Sequence, residues 1–275
     1  ASRRRRAESL GSVGVGGFLG MMTGPVIGDV IFESGGATSE SFTLFFTLVG
    51  ALSLAAGIAV STVSVPTRRQ HGDGLPFRTL MHRYWPGMIL MVSLVFTTIL
   101  TIHMTFLERY AHFRAFDNIR WFFLIYGTTA IILRVVFRRV PERYGRRRLC
   151  VFGLASMGAG LLLLIPVHAE WHLILPAFLL GVGHTFIFPS MVDLAANALP
   201  EEHRGVGTSL VLGAGDIGFL LGSIAWGHLI EFGSYETTFI TGSLLAFTSA
   251  AVYFWTQRKK IFERSRLNTA ATATS

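Results

Sequence analysis

RRVPERYGRRRL (Arg138–Leu149) places six arginines and one glutamate in twelve residues of a chain that is 51% hydrophobic and only 15% charged. Apolar runs flank it on both sides, over 121–137 and 149–167. A soluble domain carries about a quarter charged residues, and the mean hydropathy here is +0.52. Two apolar runs joined by a dense basic turn read as two membrane helices connected on the cytoplasmic side.

The pattern extends in both directions. Eight apolar segments follow one another, over 10–32, 42–65, 86–107, 121–137, 149–167, 172–198, 206–230 and 238–256. Each approaches the ~20 residues that span a bilayer as a helix, the open-ended element whose backbone is satisfied within its own segment. The alternation of a barrel strand is absent. The connectors alternate in charge. Five of them (ASRRRRAES, PTRRQHGDGLPFRTLMHR, RRVPERYGRRR, PEEHR and QRKKIFERSR) hold twenty of the twenty-four Lys and Arg residues. The connectors between them hold Arg109, Arg114 and Arg120, and Arg134 sits inside an apolar segment. Basic loops stay in the cytoplasm, so eight spans with both chain ends inside fit without conflict. The net charge of +8 is thereby explained by topology, which removes the nucleic-acid reading. RRRR near the start also suits a signal-peptide n-region, but seven further spans favour a membrane-flanking charge run.

Glycine has a role in such a chain. Gly16, Gly20, Gly24 and Gly28 recur every four residues and share one helix face. In lipid, small residues at this spacing let a second helix backbone approach closely, and Pro25 kinks the helix by removing a backbone bond. A tight packing seam is the plain reading. Ionisable residues inside spans are functional candidates because burying them is costly. At about 1.5 Å per residue, His184 and Asp216 fall near the midplane. His103 lies toward the outer half of its span, Asp193 near an inner end and His228 near an outer end. Packing through a hydrogen bond is the alternative role for each. A lone Cys150 excludes an internal disulfide. There is no metal-ligand spacing, no nucleophile motif and no P-loop, so no cofactor or metal is expected and a membrane enzyme is unsupported.

Three stretches together carry a resemblance. GMMTGPVIGD (Gly20–Asp29) resembles the GxxxGPxxGG motif in the fifth helix of exporters and antiporters of the major facilitator superfamily. RRVPERYGRRRL resembles the superfamily's loop motif, GxLaDrxGrrxxl, in its second-half copy, and Arg134 upstream matches a frequent arginine of the eighth helix. The stretch from Gly181 to Leu229 looks like helices ten and eleven of bacterial drug- and sugar-efflux members. Departures are Glu142 for the usual aspartate, Arg138 for the first glycine of the loop motif and Asp29 for the last glycine of the helix motif.

The resemblance implies an all-α transmembrane chain with eight membrane helices. Two belong to the N-terminal bundle and six to the C-terminal bundle of a twelve-helix fold, which makes the chain a fragment lacking the first four. The expected units are 1–65 for the two helices, 66–85 for a cytoplasmic linker, 86–257 for the six-helix bundle and 258–275 for a cytoplasmic tail. It implies gating roles for Gly20, Gly24, Pro25, Gly28, Arg134, Glu142, Arg143, Gly145, Arg146 and Arg147. Glu142 would cap the start of the family's fifth helix, around Ser9–Gly11, while the neighbouring arginines pair across the same surface and latch the outward-facing state. Topogenic charge is the competing reading, and it is preferred for Arg148. His103, His184 and Asp216 are the expected substrate- and proton-binding residues. The implied function is secondary transport by alternating access, as proton-coupled efflux of a drug-like compound or sugar across the plasma (inner) membrane. The implied partners are a small-molecule substrate, the proton and the lipid bilayer. The alternative is a truncated, non-transporting or regulatory membrane protein on the same scaffold.

Overall fold

The computed structural model describes residues 16, 19, 20, 23–28, 30–32, 36, 38–63, 76–116, 119–137 and 140–273, with the backbone alone beyond 258. Among them there is no strand. Ten α-helices follow a short apolar helix at Thr23–Phe32. They are α1 (Ser39–Ser61), α2 (Phe77–Tyr84), α3 (Met88–Thr105), α4 (Leu107–Phe113), α5 (Arg120–Val136), α6 (Val140–Tyr144), α7 (Arg146–Leu162), α8 (Ile174–Ala196), α9 (Arg204–Phe232) and α10 (Tyr235–Ala273).

Five helices are long and apolar enough to cross a membrane, at Ser39–Ser61, Met88–Thr105, Glu170–Ala196, Glu201–Phe232 and Tyr235–Arg258. Three expected spans contain shorter helices. α5 and α7 have 17 residues each, about 25 Å at 1.5 Å per residue, and Thr23–Phe32 is shorter still. The second part of the expected linker is itself helical, as α2.

α3, α5, α7, α8, α9 and α10 form one bundle. α8 lies at its centre, packed on α7, α5, α9 and α3, while α10 closes against α7 and α3. Hydrocarbon gives apolar side chains no reason to leave the surface, so close backbone approach and interhelical hydrogen bonds hold such a bundle together. Both are present. A Cβ on Gly181 of α8 would lie 2.8 Å from the Tyr126 carbonyl oxygen of α5, and one on Gly183 would lie 2.8 Å from that of Gly153 on α7. Between α3 and α9, hydroxyls donate across the seam: Ser93 to the Val211 carbonyl (2.6 Å), Thr97 to Gly215 (2.6 Å) and Thr98 to Gly218 (2.9 Å). The Trp226 indole N–H returns a bond to the Thr98 carbonyl at 2.7 Å. Ser156 and Ser243 tie α7 to α8 and α10 to α7 in the same way. Such bonds contribute about 0.6 kcal/mol each in lipid, and up to ~1.7.

α1 is different. None of its apolar window is buried, and among the described residues no helix of the bundle packs along it. Its neighbour is the Thr23–Phe32 helix, through Phe32 against Phe42 and Phe45 at ring distances of 5.0 and 5.8 Å.

Candidate functional site

Three helices bring polar side chains into the bundle interior. The Tyr126 hydroxyl of α5 is hydrogen-bonded to Nδ1 of His184 on α8. His103 of α3 lies against Tyr126 and Phe122, with ring centroids 5.5 and 6.1 Å away. Phe96 and Phe188 close the other sides of His184, at 5.2 and 5.8 Å. His103 and Tyr126 are fully buried and His184 nearly so. Neither ring nitrogen of His103 has a hydrogen-bond partner among the described residues. The two histidines expected as site residues therefore share one aromatic pocket, and Tyr126 joins them.

Asp216 is elsewhere. α9 turns its Val211, Gly215, Gly218, Gly222 face into the bundle. Residues advance 100° along a helix, so Asp216 is exposed on another face. That face also carries Gly205, Ser209, Gly213 and Leu220, and a Cβ on Gly205 or Gly213 would meet nothing within 4 Å. The structure does not bring Asp216 to His184.

The basic loop lies at one end of the bundle. Gly145 caps α7 with φ +83° and ψ 135°, a conformation that only glycine adopts without strain. Arg146 Nε lies 2.8 Å from an Asp193 carboxylate oxygen, joining α7 to the last turn of α8. Asn197 donates to the same oxygen at 2.7 Å. Glu142 is exposed with no ion-pair partner among the described residues, and Arg143 lies over the Tyr144 ring. Arg147 is exposed and Arg134 half-buried. Ser9–Gly11, the expected partner of Glu142, falls outside the described residues, as do Asp29 and Arg138. Gly20 and Gly24 are exposed and Pro25 is half-buried, and positions 20 and 24 have open space where a Cβ would sit.

The opposite end is tied by a second network. Arg114 pairs with Glu236 at 3.1 Å and donates to the Tyr110 hydroxyl at 3.2 Å. Tyr110 in turn donates to the Leu164 carbonyl at 2.8 Å. Burial pushes the Tyr110 phenol above its usual range, partly offset by Arg114. Sequence reasoning missed this network, the Asp193 pair and the hydrogen bond of Tyr126. Each joins residues on different helices, and spacing along the chain carries no such signal. Among the described residues no His, Cys, Asp or Glu cluster could hold a metal.

Comparison with known proteins gives the site its context. The family model described as "Major Facilitator Superfamily" matches residues 112–270. "Uncharacterized MFS-type transporter PA1993" of Pseudomonas aeruginosa is 30% identical over 221 residues, covering 72% of this chain and 53% of that protein. "Uncharacterized MFS-type transporter STM4428" of Salmonella typhimurium is 26% identical over 190 residues, covering 69% of this chain and 47% of its own. The chain thus spans about half the length of the curated relatives it matches. Among solved structures, a crystal structure of a mutant of the peptide transporter POT superposes with a TM-score of 0.54 at 19% identity, over 94% of this chain and 53% of that one. At that identity the likeness is one of fold.

Proposed function

The chain belongs to the major facilitator superfamily, the premise from which we propose that it forms part of a secondary active transporter, not an enzyme, moving a small molecule by alternating access. The direction we assign is efflux of a drug-like compound or sugar, driven by protons. The six-helix bundle acts as one of the two rocking halves. The Thr23–Phe32 helix and α1 belong to the other half, and the stretch 66–85 links the two in the cytoplasm. Both ends of the chain lie on the cytoplasmic side of the inner membrane.

One observation carries this reading: a carboxylate, Asp216, stands exposed within an apolar span of α9. A carboxylate at the centre of a lipid-facing helix costs about 2.5–3.5 kcal/mol on insertion scales. A face that meets water, substrate or a polar protein surface removes that cost. The open stripe of Gly205, Ser209, Gly213 and Asp216 is therefore read as the wall of the pathway, and the His103–Tyr126–His184 pocket as the proton side of the cycle.

The test uses everted vesicles from cells expressing the complete protein, with a pH-sensitive dye reporting proton release. Addition of cationic dyes or sugars should trigger saturable release, which Asp216→Asn should abolish for the cationic dyes. Saturable transport of a substrate with no accompanying proton flux would overturn the proton coupling. No response to any compound class in correctly inserted protein would overturn the efflux reading.

A further inference from the structure

A polar group buried without a partner is costly. Among the described residues His103 presents two such nitrogens in a site closed by Tyr126 and Phe122. A phenylalanine or leucine would fill a comparable space without that cost, so packing alone is a poor account of an imidazole here. Its neighbour Tyr126 is already bonded to a second imidazole, His184. A phenol oxygen both donates and accepts, so Tyr126 can take a hydrogen bond from one imidazolium while giving one to the other imidazole.

We propose that His103, Tyr126 and His184 form a relay inside the bundle, carrying one proton taken from water. The relay begins with the proton on His103 and the Tyr126 hydroxyl directed at His184. The His103 N–H bond breaks as a new Oη–H bond forms on Tyr126. The original Oη–H bond breaks as an Nδ1–H bond forms on His184. Tyr126 is neutral before and after, the positive charge moves from α3 to α8, and no oxidant or reductant is required. In the structure the Tyr126 hydroxyl is engaged with His184 and the His103 ring stands off at 5.5 Å. Engaging His103 needs a side-chain rotation or a small helix shift.

The surroundings set when the relay is loaded. Both rings are buried among aromatic side chains, and Arg134 lies two turns beyond Tyr126 on α5. Of the other packed helices, α7 carries a buried thiol at Cys150 and α10 a buried hydroxyl at Tyr253, while the Asp216 carboxylate of α9 is exposed away from His184. Loading therefore belongs to a conformation that admits water to His103. The relay's consequence for coupling rests on the transport reading, but the relay itself is testable without transport.

The test is a titration of the full chain, labelled with nitrogen-15 in its imidazoles and held in lipid nanodiscs, followed by NMR from about pH 5 to pH 9. His103→Gln and His184→Gln assign the two rings. In the parent, both should respond over one pH interval, together taking up one proton. In Tyr126→Phe, the response of His184 should separate from that of His103. His103→Gln provides the same test should the phenylalanine variant fail to insert, because the His184 response should then be lost. Two rings silent throughout, or a joint response unchanged in Tyr126→Phe, would overturn the relay. A responsive pair in a protein whose transport ignores the proton gradient would keep the relay and remove the coupling reading. A silent pair with proton-driven transport would do the reverse.

Discussion

Arg146, the first residue of α7, reaches with its Nε to within 2.8 Å of an Asp193 carboxylate oxygen in the last turn of α8. Each charge sits at the wrong end of its helix. A cation at an N-terminus and an anion at a C-terminus both oppose the backbone dipole, at about 0.3–1 kcal/mol each. The pair offsets this by pairing across the α7–α8 contact, and both side chains are partly exposed, at 41% and 28%.

The exchange of the two charges separates pairing from dipole. Arg146→Gln or Asp193→Asn alone should lower bundle stability by about 0.2–1 kcal/mol, the range of exposed pairs. The double variant Arg146→Glu with Asp193→Arg keeps the pair and places each charge at the favourable helix end. It should melt at or above the parent in detergent. A double variant less stable than both single ones would show that the orientation of the arginine, and not the pairing, matters.

Gly145 and Glu142 belong to one motif but should respond differently. Gly145 holds φ +83° with open space around a would-be Cβ, so Gly145→Ala should cost about 1–3 kcal/mol through backbone strain alone. Glu142 is exposed and unpaired among the described residues, and Glu142→Gln should leave the thermal melt unchanged. In the complete protein, the same substitution should weaken transport and raise the accessibility of inner-cavity cysteines, as loss of a latch on the outward-facing state. Unchanged accessibility together with unchanged transport would reduce Glu142 to a topogenic charge.

Five of the eight expected spans hold helices long and apolar enough to cross a membrane, legible because apolar runs are properties of contiguous sequence. The six helices of the bundle fall where the apolar runs predict them. Their lengths were less legible: α5 and α7 stop at 17 residues. Facing was harder still. Helical counting alone places Gly215 and Gly218 away from Asp216, but which of those faces is covered depends on α3 and its row of hydroxyls. The partnership of Tyr126 with His184 spans 58 residues and exists only once α5 and α8 have packed. Gly145 stood out in the sequence only as part of a motif, and its positive φ is visible only in the backbone.

The two faces of α9 make a paired test. At Gly218 a Cβ would collide with the Leu94 carbonyl oxygen, and at Gly222 it would lie 2.9 Å from that of Thr98. Gly218→Ala should therefore force α3 and α9 apart and destabilise the bundle by about 1–3 kcal/mol. Gly213→Ala meets nothing within 4 Å and should be neutral or stabilising, by up to ~1 kcal/mol of helix propensity. Thermal melts of the two variants decide this. If Gly213 lines the pathway of the complete transporter, its alanine variant should also transport more slowly while melting normally. Equal melting losses in both variants would mean that the Gly213 face is covered after all.

Asp216→Asn tests what the open face is for. The substitution keeps size and hydrogen bonding and removes a charge that a lipid-facing helix is better without, by about 2.5–3.5 kcal/mol on insertion scales. If the residue faces lipid, the neutral variant should insert better, melt higher and transport as the parent does. If it faces the pathway, where water or a cationic group already satisfies the charge, insertion and melting should stay near the parent while transport falls steeply. The two outcomes differ in both readouts, so neither can be mistaken for a folding defect. We expect the second. A graded measurement follows from the chemistry: a pathway carboxylate should discriminate by charge, so Asp216→Asn should slow cationic substrates far more than neutral ones of the same size. Equal slowing of both would assign Asp216 to the mechanics of the rocking interface, and faster transport of both would return it to the lipid.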